Sequence, residues 1–345
     1  MVSIAAMGDA EGAAYERAGV DLRAAERTTD LIRRAVESTY TPGVLRGLGA
    51  FGGLFELPAG LDRPVLVAST DGVGTKTMLA NRYRQETGVL EGIGRDLVNH
   101  CVNDVLVQGA VPLFFLDYVA SARLEPEVTA ALVTGVAAAC TAAGMALLGG
   151  ETAEMPGVYA PGEFDLAGTI VAVVERDRVV DGSSVRPGDL LLALPSGGLQ
   201  TNGFSLARRA LEGRLDDTVP GVGTVWRALL AEHRSFLPAV RPLLERGLVK
   251  AMAHITGGGL PGNLPRTLPA GLGAELRRGA WDEPAVFTLI REAGGVSEAE
   301  MFEVFNMGIG YVVTVDPGSL TEALRVSPEL VEVGRVVEGA GVRVV

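Results

Sequence analysis

Residues 65–76 read Val-Leu-Val-Ala-Ser-Thr-Asp-Gly-Val-Gly-Thr-Lys, a β-branched run that stops abruptly at an acid and a glycine-spaced turn ending in lysine. Such a stretch reads as a buried strand delivering a polar loop. Gly72 and Gly74 can take backbone angles closed to other residues, so main-chain N–H groups can converge on phosphate oxygens. Asp71 offers an oxygen to Mg²⁺, and Lys76 offers a point charge. The spacing is neither that of a Walker loop nor G-x-G-x-x-G, and strand-Asp-Gly is also an ordinary turn, so the loop alone leaves both readings open. Composition singles out its lysine. Of 30 basic residues only Lys76 and Lys250 are lysine, so arginine fills nearly every basic position that tolerates either. A compact ammonium and a planar guanidinium fork are not interchangeable.

A chain of 345 residues with 48% hydrophobic content has enough apolar material for two folded domains. The polar seam from Glu175 to Asp189 divides it into residues 1–175 and 176–345. A net charge of −12 argues against a general nucleic-acid or anionic-membrane surface, so a phosphate ligand must be held by local groups and metal ions. Cys101 and Cys140 sit in apolar helical contexts and read as core thiols of a reducing compartment. Met1 to Glu11 lacks the basic start and apolar block of a signal peptide, which points to a cytoplasmic protein. The uncharged run Val128 to Gly150 is rich in Ala, Gly and Thr and is broken by Gly144, so it reads as an amphipathic helix and a short strand rather than a membrane span.

In chain order, Met1 to Ala18 reads as a mobile lead-in and Ala24 to Ser38 as a helix. Glycines at 47, 49, 52 and 53 surround Phe51; the segment is either a flap over a ligand or a glycine-rich turn with Phe51 and Phe55 in the core. Glu91 to Gln108 is a helix with Ile93, Leu97, Cys101 and Val105 at four-residue spacing. Asn103 and Asp104 on it either approach Mg²⁺ or lie on an exposed face. Asp117 interrupts the strand Leu113 to Val119, as a metal ligand or a strand-end residue. Strand Met145 to Leu148 runs into a second acid-and-glycine loop, Gly149 to Gly157, in which Glu151 can coordinate Mg²⁺ and Thr152 can donate to phosphate. Leu190 to Leu194 starts the second half, followed by the loop Pro195 to Ser205 entering a helix, a ready anion site. Trp226 to Arg246 reads as helical. His254 stands in the glycine loop 253–259 beside Thr256, a setting that favours function, whereas His100 lies in a helix and His233 in a charged helical stretch.

Taken together, Asp71-Gly-Val-Gly-Thr-Lys76, Val102-Asn-Asp104, Gly149 to Gly157, Thr201-Asn-Gly-Phe-Ser205, His254-Ile-Thr-Gly-Gly-Gly259 and Phe305-Asn-Met-Gly308 resemble the phosphoribosylformylglycinamidine cyclo-ligase family, in order from about Tyr15 to the C-terminus. The resemblance implies an α/β (α+β) two-domain ATP-binding fold of the aminoimidazole ribonucleotide synthetase type, with mixed sheets flanked by helices. It implies an ATP- and Mg²⁺-dependent enzyme of purine biosynthesis, a homodimer packed through N-terminal strands. ATP is expected at Gly49, Phe51, Gly52, Gly53, Asp71, Gly72, Gly74, Thr75, Lys76, Asn103, Asp104, Glu151 and Thr152. Mg²⁺ is expected at Asp71, Asp104 and Glu151. Formylglycinamidine ribonucleotide is expected at Gln200, Thr201, Asn202, Gly203, Arg234, Thr256, Gly257 and Gly258. His254 is expected to move a proton and Lys76 to neutralise phosphate charge.

The chain departs from the family pattern at Gln200, where histidine is usual, and at His233 and Phe236, where threonine and tyrosine are usual. Two rivals share this architecture, selenophosphate synthetase and thiamine-monophosphate kinase; the former needs a reactive Cys near the N-terminus, and none precedes Cys101. A Rossmann dehydrogenase is excluded for want of a strand feeding G-x-G-x-x-G.

Overall fold

The computed structural model describes residues 19–345, so the expectations for the lead-in and for a leader segment lie outside the described residues. The first half runs α1 (Leu22–Glu37), β1 (Val44–Arg46), β2 (Leu54–Phe55), β3 (Pro64–Gly72), α2 (Lys76–Arg82), α3 (Val89–Leu106), β4 (Val111–Ser121), α4 (Pro126–Ala143), β5 (Ala146–Glu154) and β6 (Phe164–Glu175). The second runs β7 (Leu190–Pro195), α5 (Phe204–Ala210), β8 (Thr218–Val219), β9 (Gly223–Thr224), α6 (Val225–Leu229), α7 (Leu237–Glu245), β10 (Val249–His254) and α8 (Gly259–Asn263). It closes with β11 (Leu272–Leu276), α9 (Ala285–Gly294), α10 (Glu298–Val304), β12 (Ile309–Val315), α11 (Leu320–Val326), β13 (Val331–Glu338) and β14 (Gly341–Val344).

Strands of the first half form a mixed sheet of order β3-β6-β4-β5, and those of the second a sheet of order β10-β12-β7-β13-β11-β14. Only β4 and β5 are parallel in the first sheet, because α4 carries the chain back between them. The expected mixed α/β sheets flanked by helices are thus present. Alternation along β3 is strict: Leu66, Ala68 and Thr70 are exposed, while Val67, Ser69 and Asp71 turn toward α3.

The helix α3 is covered on nearly every side. Ile93, Leu97, Cys101 and Val105 join one apolar cluster with Leu132 and Val136 of α4, Ile170 of β6, and Phe236, Val240 and Tyr311 of the second half. The two halves therefore share a core around this helix. Where α3 crosses α4 the backbones touch: a Cβ on Gly94 would lie 2.1 Å from Leu132 O, and one on Gly135 would lie 2.0 Å from Glu91 O. Helix α4, the one described helix both long and apolar enough to span a membrane, is spent in this packing, with Leu132, Val136 and Cys140 buried. Its C-cap is Gly144 at φ 70°, the break expected from sequence.

Two local expectations were displaced. Gly149 to Glu154 continues β5 instead of forming a loop, and residues 231–236 are irregular chain between α6 and α7 instead of helix. Pro238 and Phe236 lie at the start of α7, so the helical pattern is interrupted where His233 and Arg234 stand. Phe51 and Phe55 part company: Phe51 is fully exposed, whereas Phe55 packs its ring 5.2 Å from that of Phe114.

The helix crossing gives a direct test of this packing. Gly135→Ala is expected to lower unfolding free energy by about 1–3 kcal/mol, because the added carbon meets rigid backbone; urea denaturation measures it, and an unchanged midpoint would mean the two helices are not in backbone contact.

Candidate active site

All three histidines of the chain meet at one place. The ring centroids of His100, His233 and His254 lie 5.1, 5.0 and 5.3 Å apart pairwise, although the residues come from α3, the irregular segment before α7 and the end of β10. Around them runs an arc of short contacts. Asp71 Oδ2 lies 2.7 Å from His100 Nε2, and His100 Nδ1 lies 2.6 Å from Thr201 Oγ1. Thr201 Oγ1 lies 3.2 Å from His233 Nδ1, His233 Nε2 lies 3.2 Å from His254 Nε2, and His254 Nδ1 lies 2.8 Å from Asp104 Oδ1. The two ends of the arc, Asp71 and Asp104, open into a cleft of about 480 Å³ between the halves. Their side chains are 40% and 29% exposed, while the rings behind them are buried.

Charge follows this geometry. Burial pushes the Asp71 carboxyl up, but the hydrogen bond and charge of His100 outweigh it and hold the group below the ordinary range. Burial likewise raises Asp104, and His254 more than reverses it. For His100 burial pulls the ring down, and the bond to Asp71 with the field of Asp104 lifts it above its usual value. His254 stays below its usual value because burial exceeds what Asp104 returns. His233, buried and flanked by two other imidazoles, is held well below and stays neutral.

Of the residues expected in the substrate half, Asn202, His254 and Thr256 line this cleft, and Thr201 stands behind it in the arc. Gly203, at φ 78°, starts α5 and has no room for a side chain, since a Cβ would lie 2.2 Å from the Phe305 ring. Gly257 and Gly258 are exposed at the turn into α8. Gln200 departs from expectation. It is buried at φ 63°, its amide makes no hydrogen bond in the structure, and it packs beside Gly310 rather than facing the cleft. Arg234 is also committed elsewhere, pairing with Glu329, donating to Pro195 O at 3.2 Å and lying 5.5 Å from the Phe236 ring.

The nucleotide residues divide between two spaces. Gly49, Phe51, Gly52 and Gly53 form, with Thr70, Tyr118, Glu151 and Gly168, a second cavity of about 530 Å³ on the outer face of the first sheet. Strand register separates this from Asp71. Glu151 pairs with Tyr118 and Tyr118 with Ala167, opposite Gly72, whereas Asp71 lies in the adjoining row with Gly168 and Asp117. Adjacent rows face opposite sides, and β5 is three strands from β3, roughly 14 Å. Glu151 therefore does not join Asp71 and Asp104 around one ion within this chain, contrary to expectation. Thr152, next along β5, is half-buried on the face opposite Glu151. Gly74 and Thr75 are exposed at the turn, where Thr75 Oγ1 lies 3.2 Å from Ser205 Oγ. Asp117 pairs with no cationic side chain among the described residues, and burial pushes its carboxyl up to about 7.

Lys76 and Asn103 correct the reading further, because neither reaches a cleft. The Lys76 ammonium is completely buried and spends its donors on Asp96 Oδ2 at 2.6 Å, Ala231 O at 2.8 Å and Gln200 O at 3.0 Å. Those acceptors belong to the three segments that carry His100, His233 and Thr201. Asn103, also buried, accepts from Phe236 N at 2.9 Å and donates to Arg234 O at 2.8 Å. Sequence reasoning missed His100, His233 and Arg266, the last a cation lining the cleft. A signal existed: Asp96, Asn99, His100, Asn103 and Asp104 recur at three- and four-residue spacing, a polar stripe beside the apolar one on α3.

Known proteins resemble this chain over most of its length. The model for "AIR synthase related protein, N-terminal domain" matches residues 58–174, and that for its C-terminal domain matches residues 186–345. Phosphoribosylformylglycinamidine cyclo-ligase of Synechococcus sp. (strain RCC307) is 49% identical over 319 residues, 90% of this chain and 92% of that protein. The protein of the same name from Geobacillus thermodenitrificans (strain NG80-2) is 47% identical over 340 residues, covering 95% and 97%. Among solved structures, thiamine-monophosphate kinase of Stenotrophomonas maltophilia K279a superposes with a TM-score of 0.65 at 19% identity over 92% of this chain and 95% of that one. The hydrogenase maturation protein HypE of E. coli gives 0.63 at 19% identity, covering 92% and 93%, a likeness of fold.

The anchoring role of Lys76 can be tested without any ligand. Lys76→Met leaves the Asp96 carboxylate buried without its counter-charge and is expected to cost about 3–5 kcal/mol. Adding Asp96→Asn, which still accepts from His233 N, is expected to recover part of that loss in urea unfolding. No recovery in the double variant would mean that the two side chains do not act as a pair.

Proposed function

This chain belongs to the phosphoribosylformylglycinamidine cyclo-ligase family, and from that premise we propose that the cleft between its halves closes the imidazole ring of 5-aminoimidazole ribonucleotide from formylglycinamidine ribonucleotide at the expense of ATP. The observation that carries this assignment to the cleft is the convergence there of two ionised carboxylates of the first half, Asp71 backed by His100 of the same half and Asp104 backed by His254 of the second.

Ring closure joins an amidine nitrogen to a formamide carbon, from which oxide cannot depart. The formyl oxygen therefore attacks the γ-phosphorus of ATP and ADP leaves. The amidine nitrogen then adds to the former formyl carbon and gives up a proton, inorganic phosphate departs with the oxygen as the formamide nitrogen loses its own proton, and a hydrogen shift from the ring CH₂ to the exocyclic nitrogen completes the aminoimidazole. We assign the amidine proton to His254, reached through the Asp104 carboxylate that opens into the cleft and that its Nδ1 contacts. Asn202, Thr256 and Arg266 line the same cleft and are placed to hold the ribonucleotide. The nucleotide base and sugar are assigned to the outer cavity beneath Gly49 to Gly53, with the triphosphate passing the end of β3, where Thr70 lines one space and its neighbour Asp71 the other. Asp71 and Asp104 are ionised hard-oxygen donors and fit Mg²⁺, which when bound would neutralise charge on the transferring phosphoryl group.

We also assign the chain to a homodimer of the cytoplasm. The outer face of the first sheet leaves Leu66 58%, Leu116 38% and Tyr118 37% exposed beside Leu54 and Phe51, a patch that a second copy would cover. Cys101 and Cys140 are unpaired and buried, which suits a reducing compartment.

Mass spectrometry of the protein incubated with ATP, Mg²⁺ and formylglycinamidine ribonucleotide is expected to show 5-aminoimidazole ribonucleotide and ADP in equal amounts, with no ADP formed when the amidine is omitted. His254→Ala is expected to lower turnover by about 10²- to 10⁴-fold with ATP affinity retained. Equal ATP turnover with and without the amidine would contradict the assignment.

A further inference from the structure

His233 touches neither cavity, yet every hydrogen-bonding group it owns is used. Its backbone N–H donates to Asp96 Oδ1 at 2.6 Å and its carbonyl accepts from Asn99 Nδ2 at 2.7 Å. Its ring meets Thr201 through Nδ1, and Asn103 Nδ2 at 3.1 Å and His254 through Nε2. Seven residues separate Asp96 from Asn103 on α3, so one helix face grips both the backbone and the ring of a residue in the other half.

The partners dictate where the ring hydrogen sits. Asn103 Oδ1 accepts from Phe236 N, and its Nδ2 faces a carbonyl, Arg234 O, which can only accept; the amide is therefore oriented with its donors toward His233. A donor there requires a lone pair on His233 Nε2, which puts the ring hydrogen on Nδ1, donated to Thr201 Oγ1. The Thr201 hydroxyl then donates to His100 Nδ1, and His100 keeps its own hydrogen on Nε2, toward Asp71. On the other side His233 Nε2 presents the same lone pair to His254 Nε2. His254 is left between two acceptors, Asp104 and His233, and its ring hydrogen can point only at one of those two.

We propose that His233 is a positioning residue that sets the ring orientation and tautomer of both cleft imidazoles, His254 and His100, through its contacts with His254 Nε2 and Thr201 Oγ1. It rests on the role given above to His254, and it adds a buried residue that acts on the reaction without touching substrate. Leucine at 233 would fill the space and keep both backbone bonds while removing both ring contacts. Glutamine would keep a carbonyl to accept and an amide to donate.

The test combines kinetics with nitrogen NMR of the ring tautomers. In the wild-type protein His233 is expected as the Nδ1–H tautomer and His100 with its hydrogen on Nε2. His233→Leu is expected to lower kcat roughly 10- to 100-fold with KM for ATP unchanged, and to let the His100 tautomers mix. His233→Gln is expected to restore most of kcat. A hydrogen on His233 Nε2 in the wild-type protein, wild-type kcat in His233→Leu, or equal losses in the leucine and glutamine variants would each overturn the proposal. The wild-type spectrum requires neither turnover nor a variant that folds, so it also separates failure of this proposal from failure of the assigned reaction.

Discussion

One ammonium fastens the site. Lys76 follows the β3 loop, and its three acceptors lie on α3, on the loop before α5 and on the irregular segment before α7. Each of those segments supplies part of the histidine arc, so the arc keeps its shape only while the lysine holds them in common. Burying a full charge is costly, and the cost is offset here because Asp96 supplies the counter-charge while its second oxygen takes the His233 N–H. Such a pair contributes little net stability compared with an apolar replacement, but it specifies one arrangement, because any slip strands a charge in a dry interior.

From that anchor the layering follows. The apolar stripe of α3 packs into both halves, and its polar stripe faces the seam between them. The seam becomes a cleft where β3 ends, because the chain turns away at Gly74, at φ 66°, just past the strand that carries Asp71. Asp71 and Asp104 are ionised despite partial burial since each has an imidazole behind it, while burial keeps His233 neutral. Function and fold thus draw on the same buried polar set.

Much of the fold was legible because strand and helix periods survive in the sequence: β3, α3, α4 and β7 fall where the apolar pattern puts them. The site was legible only in pieces. Asp71, Asp104 and His254 could be singled out because glycine turns and misplaced polar residues mark them locally. His100 and His233 could not, since what joins them to His254 is a contact between residues 133 and 21 positions apart, invisible to any local pattern. Lys76 was singled out by composition but given a phosphate to hold. A lysine closing a glycine loop looks the same whether its ammonium turns outward to a ligand or inward to a carboxylate twenty residues on, and the choice is made by α3. Glu151 was misplaced because a strand continuing through Gly149 and Gly150 alternates its faces, whereas a loop would not.

The central claim is that chemistry occurs where the carboxylate ends of the arc open between the halves. A crystal structure of the protein with formylglycinamidine ribonucleotide and a non-hydrolysable ATP analogue tests it most directly. The account predicts the formyl oxygen and the terminal phosphate together in the cleft, beside Asp71 and Asp104. Finding both reacting groups instead on the outer face of the first sheet, under Gly49 to Gly53 and against Glu151, would contradict it.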